Sequence, residues 1–378
     1  MGGVWRRGAR LGAGRRIRWA AGSTGRWMAA LLIVVSVTPS LAAVQAGPTM
    51  QLTRLTGSVE VDGIPDEEAW SAVEALPLTM YFPTFRGTPA QRTVIKVAYD
   101  DRYLYAAGWF YDDDPSGIRV NSLYRDRWNG DDAFALYVDA FNDNQNAKWF
   151  GVNAAAMRFD LLVSDDGAVL NGSWDTFWDA ETTITDEGWF VEVRVPFSSL
   201  GFQVDEQGRA VMGLTVTRLV SRTGERVTFP AIDPQFAFRQ PSVAQDMQLE
   251  GVETQRPAYI TPYLLSGVGR QSVPLGPGFA HVREYTREVG LDVRYSVSSN
   301  LTLDLTANTD FAQVEADDQQ VNLDRFSLFF PEKRRFFQEG SGLFDFTLGG
   351  GSRLFHSRRI GLTDDNQQVP VLGGARLV

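Results

Sequence analysis

The chain has 378 residues and no cysteine, which excludes disulfides, thiolate metal sites and cysteine nucleophiles. Its hydrophobic content of 44% excludes general disorder and is enough for two or more domains. Acidic residues outnumber basic ones, 46 to 36. This balance argues against nucleic acid as a partner, because phosphate contacts need a basic surface.

Residues 1–46 are typical of a secretory signal peptide with a long basic leader. Seven arginines and no acid precede Met28, an apolar run continues to Val37, and small residues surround Ala42. This run is too short to span a bilayer, so we expect cleavage after Ala42 or Ala46 and an exported protein. Met28 is an alternative start. Without the seven arginines, the formal charge falls from −10 to −17.

Residues 48–255 are predicted to form a β-sandwich. Short segments rich in aromatic and β-branched residues alternate with turn clusters, as in folds of many short strands. A helix is predicted to begin at Pro65, where the acids that follow suit its positive end, with Trp70 facing the sandwich. The predicted strands are 93–99, 103–111, 133–140, 148–153, 189–195 and 211–220.

Four segments of this region resemble the family 9 carbohydrate-binding module at the front of exported bacterial proteins. In chain order they read VDGIPDEEAW, VIKVAYDDRYLYAAGWFYDDDP, RDRWNGDDAFALYVDAF and GWFVEVRVPFSSLGF. The resemblance implies a β-sandwich that holds sugar between aromatic rings and carries calcium ions in structural loops. Oligo- or polysaccharide is the partner that it implies.

Two loop clusters carry the residue types that a sugar site needs. A flat aromatic ring covers the apolar face of a pyranose, and charged or amide groups bind its hydroxyls. The first cluster is Trp128 with Arg125, Arg127 and Asp131, and the second is Trp174 and Trp178 with Asn171 and Asp175. Tryptophan in a sandwich is mostly core, but the loop positions favour Trp128 and Trp174 over Trp109 and Trp189, which lie in predicted strands.

Acidic loops beside the predicted strands offer oxygen ligands for structural calcium. The candidate ligands are Asp112, Asp114 and Asp132. None of these loops fits the helix–loop–helix calcium consensus, and the polar run 142–146 lacks its glycine and closing glutamate. Solvated turn carboxylates are the alternative explanation.

Enzyme signatures are few. The two histidines, His281 and His356, both lie in the C-terminal region, and no nucleophile elbow, phosphate-binding lysine loop or dinucleotide fingerprint is present. Glycoside hydrolysis needs only two carboxylates, and no pair stands out among 46 acids. Carbohydrate binding without a catalytic residue is therefore the prediction. A hydrolase of O-glycosyl bonds in xylan- or glucan-type polymers and a sandwich without ligand are the alternatives.

Residues 256–378 begin with a long predicted hairpin. Apolar and polar residues alternate over 288–297 and again over 301–311, with a turn at 298–300. Strands of about ten residues with one apolar and one charged face are typical of a transmembrane β-barrel. A half-buried sheet in a soluble protein gives a similar pattern, because the signal per strand is weak.

The segment from Ala258 onward resembles the uncharacterised barrel domain that follows the sugar-binding module in bacterial outer-membrane proteins. The resemblance rests on ITPYLLSG, on residues 291–344, on SRRIGL and on VPVLGGARLV. Thr309 and Arg335 stand where that family usually has proline. The combination of a sugar-binding module with this barrel domain implies an outer-membrane protein that is in contact with lipid. It also implies an association with carbohydrate catabolism.

The block from Asp310 to Gly340 ends in phenylalanines interleaved with basic residues. Its 326–337 part suits a girdle at the lipid headgroups, a loop inside a barrel lumen or a stacking surface for glycan. A further strand begins near Val371. Since three or four strands cannot close a barrel, residues 256–378 are expected to be the N-terminal part of a longer barrel domain.

Overall fold

The computed structural model describes residues 47–172, 174–275, 277–298, 301–309, 332, 334–338, 354–361 and 369–378. The predicted signal peptide and most of the Asp310–Gly340 block lie outside these residues. Within them, no helix is both long and apolar enough to cross a membrane.

The described chain is almost entirely β, which confirms the predicted fold class. The strands are β1 (Met50–Gln51), β2 (Thr53–Arg54), β3 (Thr79–Phe82), β4 (Thr93–Tyr99), β5 (Tyr103–Tyr111), β6 (Ala133–Asp139), β7 (Ala147–Asn153), β8 (Arg158–Ser164), β9 (Val169–Asn171), β10 (Asp179–Thr185), β11 (Gly188–Pro196), β12 (Arg209–Val220), β13 (Glu225–Phe229), β14 (Gln245–Glu250), β15 (Ala258–Leu275), β16 (Gly278–Ser298), β17 (Leu301–Thr309) and β18 (Val371–Leu377). The short helices are α1 (Phe197–Leu200), α2 (Arg335–Gln338) and four 3₁₀ turns at Glu68–Ala72, Pro115–Gly117, Pro241–Val243 and Ser357–Arg359.

The strands form three sheets. Sheet A has the order β1-β14-β12-β6-β7-β8-β9, with β13 paired to both β12 and β3. Sheet B has the order β10-β11-β5-β4-β2, and sheet C runs β15-β16-β17-β18. The six strands predicted in the N-terminal region are all present, and β4 and β5 have the predicted bounds.

The core of the sandwich lies between sheets A and B. Alternate residues of β6, such as Phe134 and Leu136, point into it, and sheet B contributes Phe110 and Trp189. The Phe110 and Trp189 rings meet edge to face with centroids 4.5 Å apart. Because side chains alternate between faces, the intervening residues of β6, β7 and β12 lie on the outer face of sheet A. That outer face carries the groove described below.

The predicted helix at Pro65 is wrong in position. A 3₁₀ turn begins only at Glu68, although Trp70 is buried as predicted. The preceding turn is instead held by Glu192 of β11, which accepts hydrogen bonds from the backbone N–H groups of Asp62 and Gly63 at 3.1 and 3.2 Å. Gly63 has a φ of 83°, and a Cβ there would lie 2.7 Å from the Thr182 backbone, so glycine is required.

Glu192 makes the stability of the protein depend on pH. Burial, together with the charge of Glu67, raises the pKa of Glu192 to about 7. The folded protein therefore holds the proton more tightly than the unfolded chain, and stability falls as pH rises from about 4.5 to about 7. From pH 5 to pH 8, we expect the free energy of unfolding to fall by about 1 to 3 kcal/mol less in Glu192→Gln than in the wild-type protein. Urea unfolding at both pH values checks this, and an unchanged difference would contradict it.

Sheet C has one apolar and one polar face, and the predicted hairpin is confirmed by the pairing of β16 with β17. On one face, Leu264 is 77% exposed beside the exposed Val289 across the β15–β16 pair. On the other face, Asp304 is 3% exposed and is paired with Arg294 at 2.8 Å and Arg376 at 2.6 Å. The apolar face is thus the solvent-exposed one, the reverse of a half-buried sheet in a soluble protein.

Candidate functional site

The outer face of sheet A carries a groove with a volume of about 350 Å³. Its lining is mostly aromatic and aliphatic, with a few charged groups at its ends. The lining residues are Asp126, Trp128, Ala133, Ala135, Trp149, Phe159, Asp160, Leu161, Leu170, Gly172, Thr217, Leu219, Arg226 and Phe238. This combination of size, apolar lining and few polar groups is typical of a small-molecule site.

Small residues in the middle of the sheet create the hollow. Gly151 of β7 pairs with Ala135 of β6, which pairs with Thr217 of β12. Phe159 of β8 lies opposite Gly151, and its ring covers the place where a Cβ would stand, about 2.1 Å from the ring atom Cζ. The glycine therefore lets the Phe159 ring lie flat along the floor of the groove.

Replacing Gly151 with alanine should disturb the floor of the groove. The new methyl group must displace the Phe159 ring, so we expect a loss of about 1 to 3 kcal/mol of unfolding free energy. Gly172→Ala is the matched control, because Gly172 also lines the groove and nothing lies within 4 Å of its added Cβ. Denaturant unfolding of both variants checks the prediction. Equal stability of the two would contradict it.

Four aromatic rings form a connected wall. The centroid of the Trp149 ring lies 4.6 Å from that of Tyr137 and 5.8 Å from that of Phe159. The centroids of the Tyr137 and Phe238 rings are 6.0 Å apart. On the same face of the sheet, the Tyr137 hydroxyl, the Trp149 indole Nε1 and the Thr215 hydroxyl are buried without a hydrogen-bond partner in the described part of the chain. Unsatisfied buried polar atoms are uncommon, and three of them on one sheet face mark it as unusual.

One end of the groove is cationic. Arg226 of β13 donates a hydrogen bond from Nη1 to the Thr217 hydroxyl at 3.1 Å, and its guanidinium lies 4.1 Å from the centre of the Phe238 ring. Burial lowers the pKa of Arg226. No carboxylate within the described ranges forms an ion pair with it.

The other end is acidic. Carboxylate oxygens of Asp126, Asp160 and Asp175 lie within 4.8 Å of one another, and Arg125 forms an ion pair with Asp160 at 2.5 Å. Burial and the charge of Asp160 raise the pKa of Asp126 to about 6, and burial also raises that of Asp160. Asp126 therefore changes its charge near neutral pH, where it can either donate or accept a hydrogen bond.

The first predicted cluster is partly assembled at the groove. Trp128 is 48% exposed and lines it, and Arg125 reaches its acidic end through Asp160. Asp131 is fully buried and accepts hydrogen bonds from the backbone N–H groups of Asn121, Ser122 and Asn129. It therefore shapes the loop that carries Trp128. Arg127 is exposed and is not among the lining residues.

The second predicted cluster is mostly core. Trp174 and Trp178 are 4% and 3% exposed and pack edge to face on Phe150. Their ring faces are covered, because they fill the end of the sandwich, so in this arrangement neither offers a platform to a sugar. Asn171 ends β9 between the lining residues Leu170 and Gly172 but does not line the groove. A contact of these three residues with sugar stays a prediction.

The three predicted calcium ligands are held by protein donors. Asp112 binds the Arg222 guanidinium through two hydrogen bonds of 2.6 Å. Asp132 accepts hydrogen bonds from the backbone N–H groups of Arg119 and Ser221, and Asp114 accepts one from the Ser116 hydroxyl. These carboxylates do not fit a shared cation site as arranged, since Arg222 already supplies the positive charge. Calcium binding stays a prediction.

Sequence reasoning missed most of the groove. Trp149, Phe159, Phe238 and Arg226 were not predicted as site residues, and they lie on separate strands or loops. One signal was present in the sequence: Trp149 and Phe150 are adjacent in a strand, so one aromatic ring must face away from the core. An aromatic residue on the outer face of a sandwich strand indicates a binding surface or a covered face.

Two family models match the chain. Residues 61–241 match the family described as carbohydrate family 9 binding domain-like. Residues 260–372 match a domain of unknown function, DUF5916. The chain therefore contains a family 9 binding domain-like region followed by this second domain. A search of curated proteins gave no match.

Three solved structures are similar to about half of this chain. A family 9 carbohydrate binding module from Caldicellulosiruptor kristjanssonii in complex with cellotriose is 16% identical, over 54% of this chain and 94% of that chain, with a TM-score of 0.40. A module of this family from the same organism in complex with glucose is 17% identical, over 55% and 97%, with a TM-score of 0.39. A candidate carbohydrate-binding protein from Bacteroides uniformis ATCC 8492 is 11% identical, over 55% and 100%, with a TM-score of 0.44.

Proposed function

We propose that this chain is an exported carbohydrate-binding protein that holds an oligosaccharide in the groove on the outer face of sheet A. The observation that carries the proposal is the connected wall of Tyr137, Trp149, Phe159 and Phe238, with three unpartnered polar atoms of the described residues on the same sheet face. The match of residues 61–241 to the family 9 binding domain-like model supports it.

The chemistry of the groove suits a sugar. The C–H face of a pyranose stacks on flat aromatic rings, and Trp149 and Phe159 provide two such rings over a hollow of small side chains. Sugar hydroxyls both donate and accept hydrogen bonds, so they can pair with carboxylate and guanidinium groups alike. Asp126 and Arg226 provide these at opposite ends of the groove.

Titration calorimetry of the full chain tests this proposal. A panel of cello-, xylo- and manno-oligosaccharides, together with acidic oligosaccharides, should include at least one ligand whose affinity falls in Trp128→Ala. Tyr124→Ala is the control, because Tyr124 lies in the same loop, is exposed and does not line the groove. Binding that is equally strong in both variants would count against the groove. Binding of none of the panel would favour a sandwich without ligand.

A second candidate function has one specific observation in its favour. Asp126 lines the groove, one of its carboxylate oxygens lies within 4.8 Å of one of the buried Asp160, and the pKa of Asp126 is raised to about 6. A raised-pKa acid beside a second carboxylate is the arrangement that glycoside hydrolases use. Reducing-sugar release from bound polymers, compared between wild type and Asp126→Asn, separates a hydrolase from a binding protein. Absence of release by the wild type would remove this candidate.

We also infer that sheet C faces lipid and anchors the protein in the outer membrane as part of a barrel. Support comes from the alternation of its two faces, with Leu264 and Val289 exposed on one and the Asp304 ion pairs enclosed on the other. Apolar-out and polar-in alternation is the pattern of lipid-facing strands. The predicted signal peptide is consistent with export.

Flotation of the full chain with phospholipid vesicles tests the anchoring. We expect the protein to float with the vesicles and Leu264→Arg to reduce that fraction, because a cation on the lipid face is costly. Leu123→Arg is the matched control, since Leu123 is equally exposed but belongs to a loop of the sandwich. Protein that stays in the aqueous fraction, or equal effects of both variants, would contradict the inference.

A further inference from the structure

The cation at one end of the groove has unused hydrogen-bonding capacity. A guanidinium carries five N–H donors. Within the described residues, Arg226 uses one of them, from Nη1 to the Thr217 hydroxyl at 3.1 Å. Its flat face is occupied, because the Phe238 ring lies 4.1 Å away. Arg226 is also one of the residues that line the groove.

Two other arginines of the sandwich make more hydrogen bonds within the described residues. Arg222 is paired with Asp112 through two bonds of 2.6 Å. Arg218 donates to the carbonyl oxygens of Arg92 and Tyr111 and to the Thr93 hydroxyl. Within the described residues, Arg226 has no such set. A partly buried cation without an anion is unfavourable, so the site favours a ligand that brings one.

We propose that Arg226 binds the carboxylate of an acidic sugar, so that the groove is specific for oligosaccharides containing uronic acid. This inference rests on the proposed carbohydrate-binding function and adds the class of sugar. A carboxylate on C5 of a pyranose lies in the plane of the ring edge, where the guanidinium fork can bind both oxygens. Phe238 holds that fork in place by stacking on its face.

The opposite end of the groove fixes the direction of the ligand. Asp126 lies there and can accept hydrogen bonds from sugar hydroxyls, while its charge and that of the buried Asp160 repel a second carboxylate. Arg226 and the acidic pair thus define one orientation, with the carboxylate at β13 and neutral hydroxyls at β8. Trp149 and Phe159 between them stack on the sugar rings.

Matched ligands test the inference in the full chain. Cellobiouronic acid, which carries one carboxylate, and neutral cellobiose form the first pair, and galacturonic acid and its methyl ester form the second. We expect the acid of at least one pair to bind roughly tenfold to a hundredfold more tightly at low salt, the gain typical of a charged hydrogen-bond pair. Arg226→Gln should abolish that preference, whereas Arg226→Lys should retain part of it because the charge remains. Thermal unfolding checks that both variants are folded.

The outcomes separate this inference from the proposed function. If neutral sugars bind as tightly as the acids, acid specificity is wrong while carbohydrate binding stands. If the preference survives in folded Arg226→Gln, another residue holds the carboxylate and the assignment to Arg226 is overturned. The wild-type comparison needs no variant, so a variant that does not fold leaves the acid specificity testable. If no saccharide binds, acidic or neutral, both proposals fail.

Discussion

Replacing Arg218 with alanine is expected to lower the free energy of unfolding by about 3 to 5 kcal/mol. Arg218 is 1% exposed on β12 of sheet A, and its guanidinium donates hydrogen bonds to the backbone oxygens of Arg92, which directly precedes β4, and of Tyr111 in β5 at 3.1 and 3.0 Å. It therefore joins the two sheets through their interior. Without Arg218, those backbone oxygens have no hydrogen-bond donor, and a cavity opens beside the Phe110 ring. The buried Asp132 also loses a nearby positive charge.

Arg194→Ala is the control for this prediction. Arg194 also pairs with a carboxylate, Asp179, at 2.7 Å, but both side chains are at least one-third exposed. Exposed pairs contribute little, so we expect a loss below about 1 kcal/mol. Denaturant unfolding monitored by tryptophan fluorescence compares the two. Losses of similar size in both variants would show that Arg218 does not join the sheets as described.

Replacing Trp149 with alanine is expected to have the largest effect on saccharide binding. Trp149 stands at the centre of the aromatic wall, in contact with Tyr137 and Phe159, and lines the groove. Buried aromatic anchors commonly contribute about 2 kcal/mol or more to binding, which is roughly a thirtyfold loss of affinity. Titration calorimetry of wild type and Trp149→Ala with the tightest ligand of the panel measures the loss.

Trp109→Ala is the matched control for Trp149→Ala. Trp109 is also a half-buried tryptophan on the outer face of a sandwich sheet, with Lys96 Nζ 5.5 Å from the centre of its ring, but it belongs to sheet B. We expect its loss to lower stability and to leave saccharide affinity unchanged within about threefold. If Trp109→Ala weakens binding as much as Trp149→Ala, the effect is one of stability and the site is misplaced.

The fold could largely be predicted from the sequence because its signals are local. Strands β4 and β5 are runs of aromatic and β-branched residues bounded by turn clusters, and their bounds follow from those features alone. The alternation over 288–297 likewise predicted the β16–β17 hairpin. The 3₁₀ turn at Glu68 could not be placed, because Glu192, more than 120 residues away, holds the segment before it.

The groove could be predicted only in part, because its residues come together through strand pairing. Trp128 was predicted from its loop position, whereas Arg226 and Phe159 reach the site through the register of β13 and β8. Trp174 has the same loop context as Trp128, yet it fills the end of the core. The sequence around each tryptophan does not determine which face of the sheet its loop covers.

A crystal structure of the full chain with its tightest-binding oligosaccharide tests the central claim most directly. We expect electron density for a sugar ring stacked over the surface that Trp149 and Phe159 form together, with one end of the ligand at Arg226 and hydroxyls near Asp126. Sugar density elsewhere, for example in the cavity of about 80 Å³ lined by Trp174 and Tyr259, with an empty groove on sheet A, would contradict it.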